Sequence, residues 1–156
     1  MNRFLDVHIA READVFLKFY QLLRNYGDLS DNRNLRRLVT DFLNDHMFKV
    51  RLLQRGFEIT PDVLLTALAQ LERISYPILV ESISSQFARM QGKVGEGIKK
   101  PSYALHMDEI NRLFPTVKII HIIRDGRDIV LSARNRKDFM GNKNWFYAAK
   151  DWRTIF

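Results

Sequence analysis

The 156-residue sequence contains no cysteine. Without thiols the chain has no disulfide bonds, no thiolate nucleophile and no zinc site with cysteine ligands. Glycine and proline contribute only 7 and 4 residues, which excludes collagen-like and low-complexity chains. No apolar run approaches the roughly 18 residues of a membrane-spanning helix. The first residues, MNRFLD, lack the apolar segment of a signal peptide, so the sequence predicts a cytoplasmic protein.

Metal-binding patterns are also missing. The 4 histidines and the scattered carboxylates show no ligand spacing, and no metal site is predicted.

What the chain does have is 46% apolar residues, enough to bury a core, and an uneven distribution of positive charge. Residues 1–98 contain 13 Lys/Arg and 12 Asp/Glu, whereas residues 99–156 contain 12 and 6. This excess predicts an anionic partner: a small nucleotide, a nucleic acid, or a sulfated or phosphorylated surface.

Apolar residues recur at helical spacing through residues 1–92, and this region is predicted to be all helical. Capping residues and prolines mark the ends of the helices. The predicted helices are Val7–Asn25 with Gly27 as a left-handed cap, one starting at Ser30–Asp31, one starting at Thr60–Pro61, and one from Tyr76–Pro77 to about Gly92. The glycine-rich stretch Gly92–Gly97 is predicted to be a loop. No repeat or linker divides the chain, so residues 1–156 are interpreted as one domain.

The pattern changes in residues 93–156. Five of the seven residues in Val117–Ile123 are β-branched, and this near-continuous apolar run predicts a buried strand of a parallel sheet. Helices over residues 102–114 and 128–136 are predicted to flank it. The predicted fold class is therefore α/β, a helical part followed by a helix-strand-helix unit.

Arg124 stands where this predicted strand ends, the place at which α/β sheets bind ligands. A guanidinium can donate to two phosphate oxygens, and Ser132, in the following predicted helix, would add a hydroxyl donor. Arg127 would add positive charge at the helix start. The alternative is that Arg124 pairs with a neighbouring aspartate while Ser132 bonds its own helix backbone.

The segment Phe114–Ser132, FPTVKIIHIIRDGRDIVLS, resembles the 3′-phosphate-binding segment of sulfotransferases that use PAPS (3′-phosphoadenosine 5′-phosphosulfate). Arg124 and Ser132 match the family's two anchors at their usual spacing. The resemblance implies a P-loop-NTPase-like fold and PAPS as co-substrate. It also implies transfer of a sulfuryl group to a hydroxyl or amine of a small molecule, glycan or peptide. Arg124, Ser132 and Arg127 would then bind the nucleotide.

The resemblance extends less specifically over most of the chain. Residues 26–38 and 101–114 look like the helical insertion and the pre-strand helix of bacterial-type members. Gly95–Pro101 resembles a Gly-Glu-Lys-Thr-Pro element, with Lys99 and Pro101 matching. No glycine-rich phosphosulfate loop follows a strand, and Leu5–His8 resembles the end of the helix that comes after that loop. The chain is therefore interpreted as a central fragment without that loop and without the C-terminal region, and no turnover is expected from the fragment alone.

The family's general base is usually a glutamate or histidine. Glu12 resembles the glutamate of a short element placed after the phosphate loop, although the proline that normally precedes it is absent. The alternative is a solvated carboxylate at a helix start. His106, His8 and His121 are weaker candidates; His106 is expected to pack on its helix and His121 to lie in the core. A rival function is a non-catalytic anion-binding remnant that keeps only the 3′-phosphate contacts. Nucleic-acid binding is not favoured, because the sequence has neither a recognition-helix pattern nor an RNP pattern beside its basic residues.

Overall fold

The computed structural model describes residues 6–11, 15–51, 59–128 and 131. The chain divides into two compact units, residues 1–101 and 102–156. The described elements of the first unit are β1 (Val7–Arg11), α1 (Val15–Gln21), a 3-10 helix (Leu23–Asn25), α2 (Asn32–Asn44), α3 (His46–Arg51), α4 (Pro61–Leu68), α5 (Tyr76–Met90) and β2 (Gly95–Lys99). A 3-10 helix (Pro101–His106) and α6 (Met107–Leu113) follow. The described residues thus form an α/β structure with a small parallel two-stranded sheet.

The predicted helix starts at Asp31, Thr60 and Tyr76 are confirmed. Asp31 accepts a hydrogen bond from the Arg33 N–H at 2.8 Å and begins α2. The Thr60 hydroxyl accepts from the N–H of Val63 and begins α4, whose first residue is proline. Such caps satisfy N–H groups that have no partner in the first turn, so the start signals are local in sequence.

Glycines end two helical segments, as the sequence predicts. At the end of α5, Gly92 has a φ of 62° and its N–H donates to the Arg89 carbonyl at 2.9 Å. Lys93 donates to the Ala88 carbonyl at 2.8 Å, which completes a Schellman motif. Gly27 has a φ of 75° and follows the first 3-10 helix. Both glycines have the left-handed backbone that other residues adopt with strain.

The core of the first unit is aromatic at its centre. Phe42 of α2 contacts the rings of Phe16, Phe19 and Phe48, with centroids 5.0 to 5.5 Å apart. Phe48 in turn contacts Phe87 of α5 at 5.8 Å. Leucine, isoleucine and valine side chains from α1, α2, α4 and α5 complete the fully buried set: Val15, Leu35, Leu38, Val39, Leu64, Leu68, Leu79 and Ile83.

The prediction of an all-helical region before residue 92 is wrong at its first element. Val7–Arg11, predicted as the start of a helix, is strand β1, and the helical spacing begins only at Val15. Gly95–Lys99, of which Gly95–Gly97 was predicted to be loop, is strand β2, paired in parallel with β1 from Val7↔Gly95 to Arg11↔Lys99. A Cβ on Gly95 would lie 2.9 Å from Cγ2 of Val7. Glycine is therefore needed for this close pairing, so here it does not indicate a loop.

The prediction of a buried strand over residues 117–123 is also wrong. These residues have no regular secondary structure, and Ile120 is 80% exposed while Ile122 and Ile123 are each 65% exposed. β-branched composition favours a strand only where another backbone completes the ladder, and among the described residues β1 and β2 pair only with each other. The helix predicted before this segment is present as a 3-10 helix followed by α6. Of the helix predicted over 128–136, the described positions Asp128 and Leu131 are helical.

Candidate anion-binding site

Arg124 follows the segment 117–123 in the second unit and is exposed to solvent. Residues 126–128, which begin two positions further on, form a helical turn, and Leu131 is helical as well. Asp125 stands between Arg124 and this turn and closes it, because its Oδ1 accepts the backbone N–H of Arg127 at 2.8 Å. The conformation of the chain after Arg124 is therefore fixed by a carboxylate cap, a device common at the start of helical turns.

The side chain of Arg127 binds the same carboxylate as a fork. Nε donates to Oδ1 of Asp125 at 3.0 Å, and an Nη donates to Oδ2 at 2.6 Å. These side-chain hydrogen bonds, with the backbone one, lower the pKa of Asp125 to about 2. The hydrogen bond to Asp125 also raises the pKa of Arg127 above its ordinary value. Arg127 is thus a fixed charge on the turn, held by a group two residues away.

Sequence reasoning missed this pairing. The alternative from the sequence was a bond from Arg124 to Asp125 or Asp128, and the structure places Arg127 on both carboxylate oxygens of Asp125. The signal was present as an aspartate two residues before an arginine at the start of a predicted helix, the spacing at which an aspartate side chain accepts from the backbone. Ser132 and Glu12, the other two predicted site residues, lie outside the described residues.

A second group of positive charges lies at the carboxyl edge of the sheet in the first unit. Arg11 ends β1 and Lys99 ends β2, and the two residues are partners in the parallel register. Lys100 follows β2 directly, and Glu12 follows Arg11 directly in the chain. The three basic residues therefore stand at, or directly after, the carboxyl ends of two paired parallel strands. This is the edge at which open α/β sheets bind their ligands.

The structure describes the three histidines considered as weaker candidates for the general base, and His121 differs from its predicted place. His121, expected in the core, is exposed in the segment 117–123. His106, expected to pack on its helix, has Nδ1 at 3.4 Å from Oε2 of Glu109, one turn further on. His8 is buried on β1, and its ring stacks on Phe87 with centroids 6.2 Å apart.

Within residues 6–11, 15–51, 59–128 and 131, no group of three or more His, Asp or Glu side chains is arranged to hold a metal ion. In the same ranges, no helix has the length and apolarity needed to cross a membrane.

A model of the sulfotransferase family matches residues 1–155, which is nearly the whole chain and includes both compact units. Searches of curated proteins and of solved structures found no match.

Proposed function

The chain belongs to the sulfotransferase family, and we propose that it serves the transfer of a sulfuryl group from PAPS to a hydroxyl or amine acceptor, on a P-loop-like fold. The family match over residues 1–155 is the observation that carries this proposal. It is supported by the sequence of the Arg124 turn and by the local excess of positive charge, 12 Lys/Arg against 6 Asp/Glu in residues 99–156. PAPS is an anion, and these charges favour its binding.

In this proposal Arg124 and Ser132 hold the 3′-phosphate of the nucleotide. The Arg124 guanidinium offers a planar pair of donors to two phosphate oxygens, and the hydroxyl of Ser132 offers a third donor. Arg127 contributes less directly, because Asp125 already occupies its fork. Its role is to hold the turn after Arg124 and so to reduce the ordering that the phosphate must impose on binding.

Glu12 is proposed as the general base. The acceptor oxygen or nitrogen forms a bond to sulfur, the bond from sulfur to the bridging oxygen of the 5′-phosphate breaks, and the carboxylate takes the acceptor's proton. Adenosine 3′,5′-bisphosphate is the leaving product. Glu12 follows Arg11 directly in the sequence, and Arg11 is paired with Lys99 in the parallel register. The proposed base is therefore adjacent in the chain to one of two paired basic residues. Positive groups stabilise the charge that develops on the leaving phosphate.

The test uses the purified chain with PAPS and a panel of phenolic, alcoholic, amine and sugar acceptors. Release of adenosine 3′,5′-bisphosphate is followed by chromatography, and its binding by calorimetry. Acceptor-dependent release supports sulfuryl transfer by this chain. Binding of the bisphosphate without release favours the non-catalytic remnant. Absence of both overturns the proposal.

A further inference from the structure

A groove of about 390 Å³ lies between the end of α4 and the outer face of α5, in the first unit. Its lining includes no residue of β1 or β2. Its polar lining comes from one stripe of α5, since these positions recur three to four residues apart: Glu81, Ser82, Ser85, Gln86 and Arg89. Its apolar lining consists of Ala67, Leu71 and Ile78.

Most of the polar lining has no partner within the described residues. Ser85 donates to Oε2 of Glu96 at 2.5 Å, which ties α5 to β2. The side chains of Glu81, Ser82, Gln86 and Arg89 make no hydrogen bond or ion pair with the described part of the chain. The groove therefore presents a hydroxyl, an amide, a carboxylate and a guanidinium that are available to a ligand.

The charges of the groove balance. Glu81 and Arg89 are both exposed and lie eight residues apart, about 12 Å along the helix axis, with the half-buried Ser82 and Gln86 between them. A lining with one charge of each sign does not select an anion. A second groove, between α2 and α4, differs in that its two charged residues, Arg36 and Asp62, bind each other at 2.9 Å.

We propose that the groove between α4 and α5 binds a neutral polyhydroxylated ligand, a mono- or disaccharide. Each sugar hydroxyl both donates and accepts, and so do the Ser82 hydroxyl and the Gln86 amide between the charged ends. The C–H face of a sugar ring would pack on Ala67, Ile78 and Leu71, the last of which is 44% exposed. The volume is within the usual range for small-ligand sites. Interpreting the ligand as the sulfuryl acceptor rests on the proposed function.

The test is an NMR titration of the isotopically labelled chain with cellobiose, in the absence of PAPS. We expect amide shifts confined to residues 67–71 and 78–89, with a dissociation constant on the order of millimolar. The double variant Ser82→Ala/Gln86→Ala is expected to weaken binding roughly tenfold, because two neutral hydrogen-bonding groups are lost. Gln91→Ala, on an exposed side chain just beyond α5, is the matched control and is expected to bind like the parent.

Thermal unfolding of each variant verifies that it is folded. Should the double variant fail to fold, Gln86→Ala alone gives the same test with a smaller expected loss. No groove shift with tens of millimolar cellobiose overturns the proposal, and so does tighter binding of glucuronate than of glucose. Equal binding of benzyl alcohol by parent and double variant, without cellobiose binding, also overturns it and identifies an apolar site. Since PAPS is absent, these outcomes are independent of whether the chain transfers sulfuryl groups.

Discussion

Asp125 and Arg127 determine the surroundings of Arg124 through contacts between residues only two positions apart. Both oxygens of the Asp125 carboxylate accept from the Arg127 side chain, at 3.0 and 2.6 Å, and Oδ1 also accepts from the backbone. The charges of the pair cancel, so Arg127 adds little net field beyond the turn. Arg124 is therefore the residue at this turn on which the proposed phosphate binding mainly depends.

Replacing Arg124 tests that dependence. A charge-assisted contact to phosphate contributes about 1.5 to 3 kcal/mol, and a neutral hydroxyl contributes about 1 kcal/mol. The sum of these two energies does not cover the cost of association, so adenosine 3′,5′-bisphosphate is expected to bind only weakly, in the high micromolar to millimolar range. Arg124→Ala should abolish measurable binding, and Ser132→Ala should weaken it about fivefold. Calorimetry at fixed salt measures both.

Arg36→Ala is the control, because Arg36 lies on α2 in an exposed pair with Asp62, outside the second unit. It should leave bisphosphate binding unchanged. If Arg124→Ala binds the bisphosphate as well as the parent chain does, the assignment of the 3′-phosphate contact is wrong.

The Asp125 pair also gives a pH prediction. The folded pKa of Asp125 is about 2, below the value of about 3.9 for an unfolded aspartate. A lowered pKa means that the ionised form is favoured in the folded state. The ionised carboxylate therefore contributes its full stabilisation of the turn above about pH 4, and this stabilisation is lost as the pH falls towards 2. Carboxyl-detected NMR should find a titration midpoint near 2 in the parent. In Arg127→Gln the midpoint should rise towards the ordinary value, and an unchanged midpoint would contradict the pairing.

At the scale of elements, helices and strands differ in how well the sequence predicts them. Helices α2 and α4 follow from residues within one turn of their starts, Asp31 and Thr60, whose side chains accept from the backbone. The strands depend on residues far apart. Val7 pairs with Gly95, 88 positions later, so no local window contains the information. The segment 117–123 has the composition of a strand without the paired backbone that makes one.

The same distinction applies to the candidate site. The sequence makes Arg124 and Arg127 candidates because they stand in a short motif, whereas the sheet edge depends on the pairing of Arg11 with Lys99. In the sequence Lys99 is only a match to a family element. Its position beside Arg11 follows from the parallel register.

Gly95→Ala tests the strand pairing. The added Cβ would lie 2.9 Å from Cγ2 of Val7 and 3.5 Å from the Asp6 carbonyl oxygen. Valine is stiff at χ1, so the strand must shift to relieve the contact, and we expect a loss of about 1 to 3 kcal/mol in the free energy of unfolding. Denaturant unfolding followed by circular dichroism measures it.

Gly97→Ala is the matched control on the same strand. Its Cβ would meet Cγ1 of Ile9 at 3.8 Å, an ordinary contact. Alanine has less conformational freedom than glycine in the unfolded chain. We therefore expect this variant to be neutral or more stable than the parent by up to about 1 kcal/mol. Equal losses for both variants would show that the close approach of Gly95 to Val7 is not what limits the substitution.

At the scale of the whole molecule, the two compact units differ in composition. The first unit has an aromatic core around Phe42 and Phe48. In the second unit none of the described residues is buried, and large apolar side chains such as Ile120 are exposed. Most of the net positive charge, 12 Lys/Arg against 6 Asp/Glu, is in residues 99–156, which include the whole of the second unit. The family match spans both units, so sulfotransferase membership applies to the whole chain.

The charge excess predicts how salt affects nucleotide binding. Adenosine 3′,5′-bisphosphate carries several negative charges, and long-range attraction to a basic region is screened once the Debye length falls from roughly 14 Å at 0.05 M to roughly 4 Å at 0.5 M ionic strength. Bisphosphate affinity should therefore fall roughly tenfold over this range, measured by calorimetry at constant pH. Adenosine monophosphate, with fewer charges, should show a shallower dependence. If the affinity for the bisphosphate is the same across the salt series, the positive charge of residues 99–156 does not act on the nucleotide. Binding would then depend on short-range contacts such as those proposed for Arg124 and Ser132.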